Sequence, residues 1–193
     1  MATVVRSRYS RVAIGLHWLI ALLLIGNLLA GLFILEPLMD SADPADKRLG
    51  FELIQLHKSI GLTVLLLALV RLAWRLGHPV PPYPDHMTPL ERRLAHASHW
   101  GFYVVMIALP LTGWAMVSTG KLLFPILYFG LFEVPHLPLP AAWGGIFYTS
   151  HEIFGWMVAA MIVLHVAAAL KHHWFDHDDV LARMLPWLRP RAT

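Results

Sequence analysis

Four long apolar runs, at about 13–35, 53–76, 95–119 and 148–171, alternate with stretches where Pro, Asp, Lys and Arg concentrate. Each run has about 20 residues or more, and a helix rising about 1.5 Å per residue then crosses a hydrocarbon core of about 30 Å. The pattern predicts an all-α membrane protein, a single domain over 1–193 built as a four-transmembrane-helix bundle. Arg6, Arg8 and Arg11 precede the first run as they would a secretion signal. That run is too long for a signal's apolar region and no small-x-small cleavage site follows, so it reads as a retained helix. The segment 120–147 reads as an outer loop. Within it, the apolar patch 122–132 is short and broken by Pro125, which predicts an interfacial or re-entrant piece. Residues 78–89, H-P-V-P-P-Y-P-D-H-M-T-P, form a stiff connector, and 172–193 a polar tail.

Composition agrees with the pattern. The chain is 58% hydrophobic and only 14% charged, with a mean hydropathy of +0.60, against about 45–50% and about 25% in soluble domains. It has no cysteine, which excludes disulfides and thiolate metal sites. A net charge of +3 predicts no nucleic-acid partner, but its distribution is informative. Arg6, Arg8, Arg11, Arg71, Arg75, Arg92, Arg93, Lys171, Arg183, Arg189 and Arg191, eleven of the fifteen Lys and Arg, fall in or beside the N-terminal tail, the 78–89 connector and the C-terminal tail. Lys47, Arg48, Lys58 and Lys121 fall on the other side, mixed with Glu36, Asp40, Asp43, Asp46, Glu52 and Glu133. The excess of positive charge places both termini in the cytoplasm and the 1–2 and 3–4 loops outside.

Topology converts sequence position into depth. His17 on the first helix and His165 on the fourth fall near the inner end; His57 on the second and His151 on the fourth fall near the outer end. His151 and His165 are 14 residues apart, so they return to nearly the same helix face about 21 Å apart. Two levels result, each offering a facing pair of imidazoles. A zinc site wants three or four ligands at one level, whereas haem b takes two axial nitrogens, so the pattern suits two haems, His17/His165 inner and His57/His151 outer. Gly61 and Gly155 each follow a histidine by one turn, in H-K-S-I-G and H-E-I-F-G, and leave room for a flat ring. The competing reading of each histidine taken singly is polar glue between helices in a non-redox bundle.

His99, in the third helix with His96, rivals His17 as the inner ligand or else faces the haem edge or a quinone. Arg71 lies 14 residues after His57; a charge at that depth pairs with a haem propionate or snorkels to the inner headgroups. Trp18, Trp100, Trp156 and Trp174 suit interface anchoring or packing. His172, His173 and His177 read as exposed interfacial residues, with K-H-H-W-F a stop rather than a metal tract, and His78, His86 and His136 as loop residues.

These features recur in a known family. R-Y-S-R-V-A-I-G-L-H-W-L at 8–19, H-K-S-I-G at 57–61, R-L-A-W-R-L at 71–76, the P-P-Y-P of the connector, A-L-P-L-T-G-W at 108–114, H-E-I-F-G-W at 151–156 and L-H-V-A-A-A-L-K-H-H at 164–173 resemble the bacterial cytochrome b561 family, dihaem proteins of the inner membrane. The resemblance runs from about residue 8 to 187 and extends to the cytochrome b subunits of formate dehydrogenases and nickel–iron hydrogenases. It implies His17, His57, His151 and His165 as the ligands of two haems b. It also implies an oxidoreductase activity, electron transfer from superoxide on the periplasmic face to ubiquinone. A positive patch steers a small anion, and Lys58 beside His57 is the candidate catalytic residue, with Lys47, Arg48 and Lys121 around it. The alternative is an anchor subunit that relays electrons from a periplasmic dehydrogenase or hydrogenase-type partner to quinone. Lipid, quinone and the electron donor are the expected partners.

Overall fold

The computed structural model describes residues 8–120, 123–185 and 187–188; Arg6, Lys121, Arg189 and Arg191 lie outside them. Helix α1 (Arg11–Leu29) continues through a π-helical turn (Ala30–Ile34) into α2 (Leu35–Asp40), and together they form the first spanning segment. The others are α3 (Pro44–Gly77), α4 (Pro89–Ser118) and α5 (Gly144–Trp174). All four segments are long and apolar enough to cross a membrane, with mean hydropathies of 1.6 to 2.5. Most of their apolar side chains point outward, including Leu22, Leu66, Val163 and Leu164. In water such a surface would be unsustainable; in lipid it is the normal outer face of a bundle.

The helices overrun the apolar stretches because polar caps extend them beyond the hydrocarbon. The Asp43 side chain accepts from Ala45 N–H, with Pro44 at the first helical position, so α3 starts nine residues before the apolar run at about 53. Thr88 and Glu91 form a reciprocal capping box ahead of α4, again with proline at the first position. Asp40, Asp43 and Asp46 thus sit at helix ends across a tight corner, Ser41–Asp43, rather than in an open loop. Gly50 is buried at that corner, where a Cβ would come within 3.0 Å of the Met39 sulfur.

Long-range contacts set an up-down-up-down order. At one end, Trp74 Nε1 donates to Ser10 Oγ, Arg71 to Ala13 C=O and Lys171 to Glu91. Trp18 Nε1 also donates there to Met184 C=O at 2.8 Å. This terminal end therefore gathers the starts of α1 and α4, the ends of α3 and α5, and the tail. At the other end lie α2, the start of α3 and a β-hairpin. Midway, an apolar plug of Ile20, Val64, Ala68, Met106 and Val158 closes the bundle.

The segment expected as an interfacial or re-entrant piece contains a two-stranded antiparallel hairpin, β1 (Ile126–Tyr128) with β2 (Phe132–Val134). Phe129 and Gly130, both at positive φ, make its turn. One buried residue of α3 ties it down: Ser59 Oγ accepts from Phe129 N–H at 2.9 Å and lies 3.0 Å from Leu127 C=O. Gln55 adds bonds to Pro125 C=O and Leu127 N–H. Ser59→Ala removes these part-buried bonds, and thermal unfolding in detergent should read a loss of about 0.5–1.5 kcal/mol.

Candidate functional site

The two histidine levels come together as pairs. The imidazoles of His57 on α3 and His151 on α5 face each other with ring centroids 6.2 Å apart. Those of His17 on α1 and His165 on α5 are also 6.2 Å apart. Since α5 is unbroken from Gly144 to Trp174, the levels are separated by about 21 Å of helix rise, with the apolar plug between them. A metal–imidazole bond is about 2 Å and the nitrogen lies about 1 Å from its ring centre, so two rings on opposite sides of one iron have centroids about 6 Å apart. Both pairs meet that requirement.

Local sequence explains how each outer ring is held. The stretch A-L-P-L-T-G-W of α4 wraps His151: its Nδ1–H donates to Leu109 C=O at 3.0 Å, and Thr112 Oγ1 lies 3.5 Å away. Binding Nδ1 in this way leaves Nε2 as the lone-pair donor, the arrangement that metal-ligating histidines use. Gly113 lies against the same ring, where a Cβ would come within 2.8 Å of His151 Cε1. His57 is treated likewise by α1. The π-turn carries Gly31, whose Cβ would stand 3.0 Å from His57 Cε1, and π-turns inside α-helices cluster at functional sites. Asn27 Nδ2 donates to the His57 backbone C=O at 3.2 Å, while His57 Nδ1 is buried with no hydrogen-bond partner among the described residues.

Gly31, Gly113, Asn27 and Thr112 were missed in the sequence. Only A-L-P-L-T-G-W, which contains Gly113 and Thr112, carried a signal. At Gly61 a Cβ would meet nothing closer than Asn27 Nδ2 at 3.9 Å, and at Gly155 nothing closer than Leu32 Cδ2 at 3.8 Å. At these two glycines a Cβ would make ordinary van der Waals contact, while the rings press on Gly31 and Gly113.

At the inner level, His165 has two imidazole neighbours. His99 stands edge-on at 6.0 Å, and Phe102 packs at 5.3 Å. Arg71 donates from Nη1 to Ala13 C=O at 3.1 Å. It shares a cleft of ≈ 210 Å³ with Arg8, Tyr9, Trp74, Arg75 and Tyr103, so its charge stays inside the bundle near this level. Arg75 instead lies over the rings of Trp100 and Tyr103.

On the other side, Lys58 is half-buried next to His57 and Lys47 is exposed. Arg48 is paired with Glu52 at 3.2 Å, which takes one of the three described cations out of the expected positive patch. His96 is exposed near Trp100, and His78 stacks on Trp74 with centroids 3.8 Å apart. One expectation fails outright. His172 is buried rather than exposed, its Nδ1 2.7 Å from Asp178 Oδ2, because the tail folds back over the end of α5.

Known proteins are similar to this chain in sequence. The family model of prokaryotic cytochrome b561 matches residues 8–187. Cytochrome b561 homolog 2 of Escherichia coli (strain K12) is 34% identical over 182 residues, covering 92% of this chain and 91% of the relative. "Probable superoxide oxidase CybB" of Yersinia pestis is 31% identical over 180 residues, covering 93% and 96%. Cytochrome b561 homolog 1 of Escherichia coli (strain K12) is 28% identical over 186 residues, covering 93% and 98%. Matched along nearly all its length and folded as four membrane-crossing helices, this chain belongs to the prokaryotic cytochrome b561 family, the haem b proteins of membrane electron transfer in the bacterial inner membrane.

Proposed function

We propose that the chain is a dihaem b oxidoreductase that takes electrons from superoxide at the periplasmic face and delivers them to ubiquinone. The observation that carries this reading is the pair of equal 6.2 Å imidazole separations, one at each level of α5. His57 and His151 then hold the outer haem, His17 and His165 the inner one. His99 stands about as far from His165, at 6.0 Å, and it is the resemblance of R-Y-S-R-V-A-I-G-L-H-W-L to the family that favours His17. When bound, haem b supplies a reversible one-electron carrier.

The chain's own residues do the rest. Leu109 C=O sets the tautomer of His151, and Gly31 and Gly113 let α1 and α4 close onto the rings. Gly61 and Gly155 add no side chain one turn beyond the outer histidines, and Arg71 offers an inner cation for a propionate. The hairpin end faces the periplasm and the termini the cytoplasm, with Lys58 beside His57 as the charge that draws in an anion. The overall reaction balances: two superoxide anions leave as two dioxygen molecules, and ubiquinone takes up their two electrons with two protons to give quinol. The superoxide reading draws on the relative named as a superoxide oxidase.

The exposed apolar side chains of the hairpin, Leu127, Phe129, Leu131 and Phe132, favour a second reading, an anchor that accepts electrons from a docked periplasmic partner. Haem-loaded protein mixed with ubiquinone under a superoxide flux separates the two. Quinol should form faster than in a haem-free control, and Lys58→Gln should lower the rate at least about threefold at low salt and less at high salt. A rate equal to the control would favour the anchor.

A further inference from the structure

The fold-back of the tail creates a second cluster of ligand-type groups, outside the histidine levels. His86 from the connector, His172 from the last turn of α5, and Asp176 and Asp178 from the tail each direct one donor atom to a common point, all four within 4.8 Å of one another. His172 Nδ1 is 2.7 Å from Asp178 Oδ2 and 3.1 Å from Asp176 Oδ2, and His86 Nε2 is 3.1 Å from Asp178 Oδ2. We propose that these four residues bind a divalent transition-metal ion, with zinc the best match, at the terminal end of the bundle.

The donor set argues for this chemistry. Two imidazoles and two carboxylates suit zinc, whose tetrahedral ligands stand about 3.3 Å apart when each bond is about 2.0 Å. Charge argues for it as well. The Asp178 side chain is only 1% exposed, and it is held by the two imidazoles and by Val180 N–H at 2.9 Å. A buried carboxylate is costly unless it is paired with a positive charge. A dication supplies that charge and takes up the lone pairs of both rings at once. Asp176 Oδ2, which accepts from Lys171 Nζ at 2.8 Å, would turn to the ion, while Oδ1 keeps the lysine at 3.1 Å. The ion would join the connector, the end of α5 and the tail, which already meet where Arg183 donates to Pro82 C=O.

The test uses the haem-loaded full chain, stripped with a chelator and then titrated with zinc alone against a chromophoric competitor. Bound metal is counted by mass spectrometry. One tightly held zinc per chain is expected. His86→Ala removes a half-exposed ligand and should weaken that zinc at least about tenfold with the haem spectrum unchanged. Asp178→Asn should do the same, its haem spectrum serving as the check on folding. Zinc bound elsewhere on the chain is common to all three proteins. Equal binding by the wild type and His86→Ala, or no stoichiometric zinc in the wild type, would overturn the proposal.

Discussion

His151→Ala should halve the haem content of the purified protein, from two haems per chain to one, and His165→Ala should do the same by removing the other haem. The expectation follows from α5 presenting one imidazole to each level, with the levels kept apart by Val64, Ala68, Met106 and Val158. The haems left in the two variants would belong to different environments. The inner one would have Arg71 nearby, and the outer one would sit against Gly31 and Gly113. The two variants should therefore leave reduced-minus-oxidised spectra and midpoint potentials that differ from each other. Loss of the same haem from both would break the two-level arrangement. At the inner level the comparison of His17→Ala with His99→Ala is decisive, because both rings stand about equally far from His165, at 6.2 and 6.0 Å. His17→Ala should lose the inner haem and His99→Ala should keep it. The reverse would move the ligand onto α4.

Gly113→Ala should be nearly as damaging, although it removes nothing. The added methyl would lie 2.8 Å from His151 Cε1 and 3.1 Å from Nδ1. The ring cannot retreat freely, because its Nδ1–H is bonded to Leu109 C=O at 3.0 Å. Either the hydrogen bond breaks or α4 moves away from α5, and both change the direction of Nε2. The outer haem should bind at least about tenfold more weakly, with the inner haem retained, as titration of haem into the haem-depleted variant would show. Gly31→Ala meets His57 Cε1 at 3.0 Å. It should have a smaller effect, because His57 Nδ1 has no bond to lose. Gly26→Ala is the control: nothing lies within 4 Å of its Cβ, so the spectrum should not change. An unaltered outer haem in Gly113→Ala would mean that His151 is not held as described.

Much of this was legible before any coordinates. The four spans follow from run length, since lipid demands long uninterrupted apolar helices. The two levels follow from helical periodicity, because 14 residues along one rigid helix determine both depth and face. The hairpin was not legible. It is held in place by bonds to Ser59 and Gln55 of α3, partners about 70 residues away. Nor was the burial of His172, which in the string K-H-H-W-F looks like any polar residue at a membrane border. Its partner Asp178 is six residues on, past the end of the helix, and only the turn of the tail brings the two together.

By itself, then, the sequence determined the number of helices, the alternation of their direction and the depth of each histidine. These depend on spacing along one chain and on the solvent around it. Tertiary structure alone decided which glycines touch the rings, that a π-turn presents Gly31 to His57, and that four polar residues of the connector and tail share one point. Those are contacts between different helices and loops, set by rotation of each helix about its axis and by distances of a few tenths of an ångström. An apolar pattern that is nearly uniform around the helix, as lipid permits, carries little record of that rotation.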